Sequence, residues 1–283
     1  MLTIRGIELA YDDAGSGPSM ILLHGYPFDR SMWREQIDFL SVHGYRVLAP
    51  DLRGFGVMSD KLQFVADANR GDTERQAEAY RTITTMADMA RDVAALMDEL
   101  AIERAVFCGL SMGGYVAFEF VHLFPTRVQA LVLAGTRAPA DNEQEKQARL
   151  RQVEQMLTSG MEGIAEATLP KLLAPRTLAG KSQVVTRVRE MILQADPQGA
   201  AAAQRGMAAR RNYSDELSGI DVPTLVIVGR EDPIRPVADA KFMHESISNS
   251  RLEVIEDAAH MTNMEQPEVF NRALLEFCNE AML

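Results

Sequence analysis

Short apolar runs alternate with stretches of helical spacing along most of the chain. Residues 2–5 and 7–12 are expected to pair as a hairpin turned at Gly6. Residues 20–23 read as a buried strand, 33–40 as a helix and 45–49 as a second strand. Over residues 86–100 the apolar positions Met89, Val93, Leu96, Met97 and Leu100 fall on one face, which predicts an amphipathic helix. Thr85, with Asp88 three positions later, is placed to cap it. Then follow a strand at 105–108, a helix at 112–124 and a strand at 130–133.

The rhythm changes between about 140 and 217. No strand of comparable strength is visible there, and Gln, Glu, Arg, Ala and Met recur with helical spacing. This stretch is read as several short helices inserted into the fold. Strand–helix alternation resumes with a strand at 224–228, a helix at 237–246, a strand at 252–255 and a helix at 268–279. Such alternation predicts an α/β fold whose mostly parallel sheet is covered by helices on both faces. The chain has 283 residues, a length that α/β architectures reach as a single unit with an insertion.

Composition narrows the function classes. Hydrophobic residues make up 47% and charged residues 24%, and the net charge is −11 without a dense basic cluster. That balance disfavours nucleic-acid and anionic-membrane partners. No apolar run is long enough to span a bilayer, and the N-terminus lacks the features of a signal peptide, so a cytoplasmic location is expected. The two cysteines, Cys108 and Cys278, do not form a metal-binding or redox spacing. Cys108 reads as a small buried hydrophobe. A monomer or homodimer is the expected state.

The sharpest chemical feature is Gly109-Leu110-Ser111-Met112-Gly113-Gly114, set between a strand and a helix. A serine on so tight a turn takes a strained backbone conformation, and bulky residues at Gly109 and Gly113 would collide. The turn lifts the hydroxyl to the carboxyl edge of the sheet, where the free N–H groups of the following helix face a developing anion. Ser111 is therefore the candidate nucleophile, and it needs a base.

The chain has five histidines. His43 lies in a turn beside Gly44, and His122 and His244 lie within helices. His24 directly follows a strand and is read as bracing its loop. His260 follows the strand at 252–255 on a loop able to reach over the nucleophile, which makes it the candidate base. The orienting acid is expected on another loop at the same edge. Asp232 follows the strand at 224–228 and is the candidate; Asp141 is its main rival, with a helix cap as that residue's ordinary role. The N–H groups of Tyr26 and Met112 are the expected oxyanion donors, since Pro27 has none to offer. The clusters that would bind a metal or a nucleotide cofactor are absent from the pattern, so no cofactor is expected.

Taken with His24-Gly25-Tyr26-Pro27, Asp51-Leu52-Arg53-Gly54-Phe55-Gly56, Gly229-Arg230-Glu231-Asp232 and Ala259-His260, this motif resembles the α/β-hydrolase superfamily. The likeness is strongest to its small carboxylesterases, enol-lactonases and cofactor-free perhydrolases. The resemblance implies an eight-stranded sheet and places the family's Ser, Asp and His on Ser111, Asp232 and His260. It also implies a core of residues 1–139 and 218–283 carrying a helical lid at 140–217. A small-molecule ester or lactone is the implied substrate. Perhydrolysis, carbon–carbon hydrolysis, acyl transfer and ligand sensing without turnover stay open as alternatives. Leu110 departs from the Asn of the carbon–carbon hydrolases, and a serine at the turn argues against the Asp-dependent dehalogenases and epoxide hydrolases. The segment 57–85 is long, polar and charged for a family whose link there is usually short. It leaves the active-site side of the sheet and reads as a surface loop that could also line the entrance.

Overall fold

A computed structural model describes residues 1–56 and 80–281. The long segment singled out in the sequence, with Arg70 to Arg75 at its centre, therefore lies mostly outside the described residues. The first two strands, β1 (Leu2–Ile4) and β2 (Ile7–Leu9), pair antiparallel, with Ile4 opposite Ile7. Arg5 and Gly6 make the turn, both with positive φ. Seven strands form the central sheet: β3 (Tyr11–Gly15), β4 (Ser19–Leu23), β5 (Arg46–Pro50), β6 (Ala105–Leu110), β7 (Val128–Ala134), β8 (Thr224–Gly229) and β9 (Ser250–Ile255). Their order is β3-β5-β4-β6-β7-β8-β9. The described residues thus put seven strands in the main sheet rather than the eight implied by the resemblance, with β1 and β2 as a separate ribbon.

β3 runs antiparallel to β5, and every other neighbour in the sheet is parallel. The burial pattern explains the sequence. Every residue of β6 and β8 is buried, because helices cover both faces of a parallel sheet, and so these strands read as continuous apolar runs. The two edge strands are the polar ones: β3 reads Tyr-Asp-Asp-Ala-Gly with no buried residue, and β9 reads Ser-Arg-Leu-Glu-Val-Ile with only Ile255 buried, as exposed edges require.

Helices α1 (Arg34–Val42), α2 (Met86–Glu99), α3 (Met112–Leu123), α9 (Val237–Ser246) and α11 (Pro267–Ala281) accompany the sheet. The cap expected on α2 is present in both directions: Asp88 N–H donates to Thr85 Oγ1 at 3.0 Å and Thr85 N–H to Asp88 Oδ2 at 3.1 Å. Between β7 and β8 the chain makes α4 (Glu143–Ser159), α5 (Glu162–Leu172), α6 (Pro175–Gly180), α7 (Ser182–Gln194) and α8 (Pro197–Ala208). α4 packs against α8, and α5 against α7. A short helix α10 (Thr262–Glu265) precedes α11. Cys108 and Cys278 are both free and buried. Among the described residues no helix is long and apolar enough to cross a membrane.

Candidate active site

Loops leaving the carboxyl ends of β4, β6, β8 and β9 meet at one edge of the sheet, where open α/β sheets form their crevice. The loop after β6 is fixed by backbone contacts. Ser111 has φ 55° and ψ −110°, a left-handed conformation that costs a β-carbon-bearing residue of order 1–3 kcal/mol. Its N–H donates to the Ala134 carbonyl at 2.8 Å, and its own carbonyl accepts from Thr136 Oγ1 at 2.9 Å. A Cβ on Gly109 would stand 2.3 Å from the Gly113 carbonyl oxygen, and one on Gly113 would stand 2.1 Å from that of Leu23. Neither carbonyl is the mobile end of a side chain, so both positions demand glycine for lack of space. Gly114 is confined by a side chain instead: a Cβ there would stand 2.5 Å from Thr136 Oγ1, which is itself held by its bond to the Ser111 carbonyl.

The loops after β8 and β9 bring Asp232 and His260 together. Asp232 Oδ2 lies 2.7 Å from His260 Nδ1, and both side chains are buried. The other carboxylate oxygen accepts from the N–H groups of Ile234 at 2.8 Å and Arg235 at 2.9 Å. Asp232 is thus aimed by its own loop, and adjacent Glu231 is exposed. The backbone of the His260 loop has two outside anchors. The N–H groups of His260 and Met261 each donate to the Leu172 carbonyl at 3.1 Å. Glu265, itself buried, accepts from Ala259 N–H on one oxygen and from Ala174 N–H on the other, both at 2.7 Å. Burial pushes the Glu265 carboxyl above its ordinary value, against the donors from Thr177, Ala174 and Ala259. Nothing in the sequence pattern pointed to Glu265 or Leu172.

His24 sits under the β4 loop rather than in the cavity. Its Nε2 accepts from Leu52 N–H at 2.9 Å, and its Nδ1 lies 2.9 Å from the Gly25 carbonyl. Burial lowers its pKa to about 4. A neutral ring satisfies both contacts, donating through Nδ1 and accepting through Nε2. It ties the β4 loop to the loop after β5, where the Phe55 ring meets it edge-on at 5.3 Å. Among the described residues neither the Tyr26 N–H nor the Met112 N–H is bonded to another protein group, and Met112 opens α3, where helix N–H groups lack partners.

Ser111 and His260 line one cavity of about 150 Å³ together with Tyr26. Its apolar wall includes Pro27, Ile164, Leu172, Met207 and Ile234, and its polar wall includes Tyr115, Arg149 and Arg235. Met112, Met261 and Met264 are core residues that do not line it. His122 pairs with Glu216 at 3.1 Å and His244 with Ser250 at 2.8 Å, both elsewhere. Asp257 is partly exposed and pairs with Arg176. Asp141 departs from the helix-cap role expected of it: Asn142 caps α4, while Asp141 is buried among Arg137, Arg149 and Arg210. Arg210 has a fully buried side chain for the same reason. Among the described residues no three His, Cys, Asp or Glu side chains gather as a metal site.

The sequence matches the family described as alpha/beta hydrolase fold over residues 18–267. It is 31% identical to 3-oxoadipate enol-lactonase 2 of Acinetobacter baylyi, over 96% of this chain and 94% of that protein. Among solved structures it is similar to a thermophilic esterase from Thermogutta terrifontis, at 38% identity and a TM-score of 0.87, covering 97% and 94% of the two chains. The enol-lactonase from Burkholderia xenovorans superposes with a TM-score of 0.84 at 28% identity, covering 98% of this chain and 99% of the other.

Proposed function

The chain belongs to the alpha/beta hydrolase family, and from that premise we propose that it is a serine hydrolase cleaving a carboxylic ester or lactone. The observation that carries this reading is the shared cavity: Ser111, held in a strained turn, lines it beside a histidine whose far nitrogen is 2.7 Å from a buried carboxylate. The kinship with an esterase and with enol-lactonases supports the same substrate class.

In the proposed reaction His260 takes the Ser111 proton through Nε2 as Oγ attacks the substrate carbonyl. Asp232 holds Nδ1–H and stabilises the imidazolium that forms. The N–H groups of Tyr26 and Met112 receive the oxyanion, having no competing partner among the described residues. The imidazolium returns its proton to the leaving alcohol, which leaves an acyl group on Ser111. Water, deprotonated by the same imidazole, then releases the acid. We read the helices between residues 140 and 217 as a lid, since Ile164, Leu172 and Met207 from them line the cavity. One water needs roughly 10–15 Å³ of such space, so about 150 Å³ suits a ligand of on the order of ten non-hydrogen atoms.

Short-chain nitrophenyl esters test the proposal. Ser111→Ala should lower kcat by about 10⁶-fold with the fold intact. Equal rates for Ser111→Ala and wild type would remove the nucleophile and the reading with it.

A further inference from the structure

The cavity carries a second group of polar side chains that the proposed acyl transfer does not use. Arg235 follows Asp232 by three residues and lines the cavity. Its Nε and Nη2 both donate to Tyr115 Oη, at 3.1 and 2.6 Å, and its Nη1 to the Ile234 carbonyl at 2.6 Å. It has no carboxylate partner at ion-pair distance among the described residues; Asp239 feels its charge from farther away. Arg149 reaches the same cavity from α4, with Nε on Asp141 and Nη1 on Gln204 Oε1 at 2.7 Å. The Arg210 guanidinium stacks over the Tyr115 ring at 4.1 Å.

Charge is unevenly paired here. The guanidinium groups of Arg137, Arg149 and Arg210 share the bonded carboxylates of Asp141 and Glu145, Asp232 is engaged with His260, and Arg235 has only Asp239 at longer range. Behind the cavity wall, the buried Nε atoms of Arg137 and Arg210 have no hydrogen-bond partner among the described residues, so the surrounding protein is short of acceptors as well. The chain as a whole carries −11, so a cationic corner is not a consequence of composition.

Tyr115 sharpens the picture. It is 1% exposed, and its oxygen accepts twice from Arg235. Its own hydrogen must therefore point away from that guanidinium, and among the described residues it meets no acceptor. Burial alone would raise the phenol pKa, but Arg235, Arg210 and Arg149 outweigh it and hold the phenol below its ordinary value. A hydroxyl made more acidic is a stronger donor to an anion.

We propose that Tyr115, Arg149 and Arg235 bind a carboxylate carried by the substrate, so that the protein acts on esters or lactones bearing a free acid group in preference to neutral ones. The inference rests on Ser111 being the nucleophile, because it places the acid in the cavity where the acyl group is attacked. A free acid would supply the acceptors this corner lacks, through charge-assisted bonds. A neutral ester of the same length leaves the donors desolvated and unpaired, and sites of that kind reject the analogue lacking the group.

The test compares mono-4-nitrophenyl glutarate with its methyl-capped diester, using wild type, Ser111→Ala, Arg235→Gln and Tyr115→Phe. Wild type should favour the free acid in kcat/KM by roughly 10- to 100-fold, and both cavity variants should shrink that ratio. Glutarate should also inhibit wild type competitively where dimethyl glutarate does not, a readout that needs no folded variant. Wild type cleaving the capped ester as fast as the acid, with release still dependent on Ser111, overturns the carboxylate site and leaves the hydrolase reading intact. A preference for the acid that survives in both cavity variants overturns the assignment to this corner. Nitrophenol release equal in wild type and Ser111→Ala removes the premise and the inference together.

Discussion

The nucleophile turn and the base loop meet in one cavity but are held in opposite ways. The turn around Ser111 is fixed by hard contacts between backbone atoms a few residues apart or on neighbouring strands: Gly109 against Gly113, and Gly113 against Leu23. The His260 loop is fixed by directional polar bonds: from Asp232 and the Leu172 carbonyl, far along the chain, and from Glu265, which also reaches Ala174. Steric support tolerates no added atom and no sequence variation. Polar support tolerates a change of partner and couples the loop to whatever carries that partner. Leu172 and Ala174 lie at the end of α5 and just after it, so the base loop is tied to the inserted helices while the nucleophile turn is tied to the sheet.

The largest effect should come from the polar side. Asp232→Asn turns an amide toward His260 Nδ1 and favours the wrong imidazole tautomer, and kcat/KM should fall by about 10⁴-fold at neutral pH. Steady-state kinetics with a nitrophenyl ester measure it; a loss under tenfold would mean that His260 keeps its alignment without the carboxylate. On the steric side, Gly113→Ala must displace the Leu23 carbonyl, an overpacking that costs about 3 kcal/mol. Urea unfolding should show that loss, and activity should fall with stability, because the displaced turn carries Ser111. Glu265→Gln is the mildest change and the most discriminating. The amide keeps one acceptor oxygen and turns its NH₂ toward a buried N–H, which costs about 2 kcal/mol. Its kcat should fall more than its KM rises, since the loop that moves carries the base. If Glu265→Gln proved more damaging to stability than Gly113→Ala, the contrast between steric and polar support would collapse.

Most of the architecture was legible from apolar periodicity, because a strand covered on both faces has little choice but to be apolar. The α2 helix and its Thr85–Asp88 cap are local features, and they stand at the expected residues. The boundaries moved outward where burial continued past the strongest run, as in β7, which begins at Val128 instead of residue 130. The role of Asp141 was misread because a cap and a buried ion-pair hub share the same local pattern, an acid just before a helix. Arg210, 69 positions away in sequence, decides between them. Tyr115 had one local clue, its place four positions after Ser111 in the first turn of α3, but nothing nearby in sequence announced the two arginines that bracket it.

By itself the sequence determined what short-range sterics and periodicity can dictate: the alternating strands and helices, the glycines that leave room for the turn, and the order of Ser111, Asp232 and His260. Tertiary structure alone decided which carboxyl and carbonyl groups support the base loop and which guanidinium groups surround Tyr115. The reason is physical. A steric exclusion leaves its mark on the glycine itself, even when the excluding atom is as distant in the chain as Leu23 is from Gly113, whereas an ion pair or a hydrogen bond between residues 91 positions apart, as from Ala174 to Glu265, constrains each partner only once the fold has brought them within 3 Å.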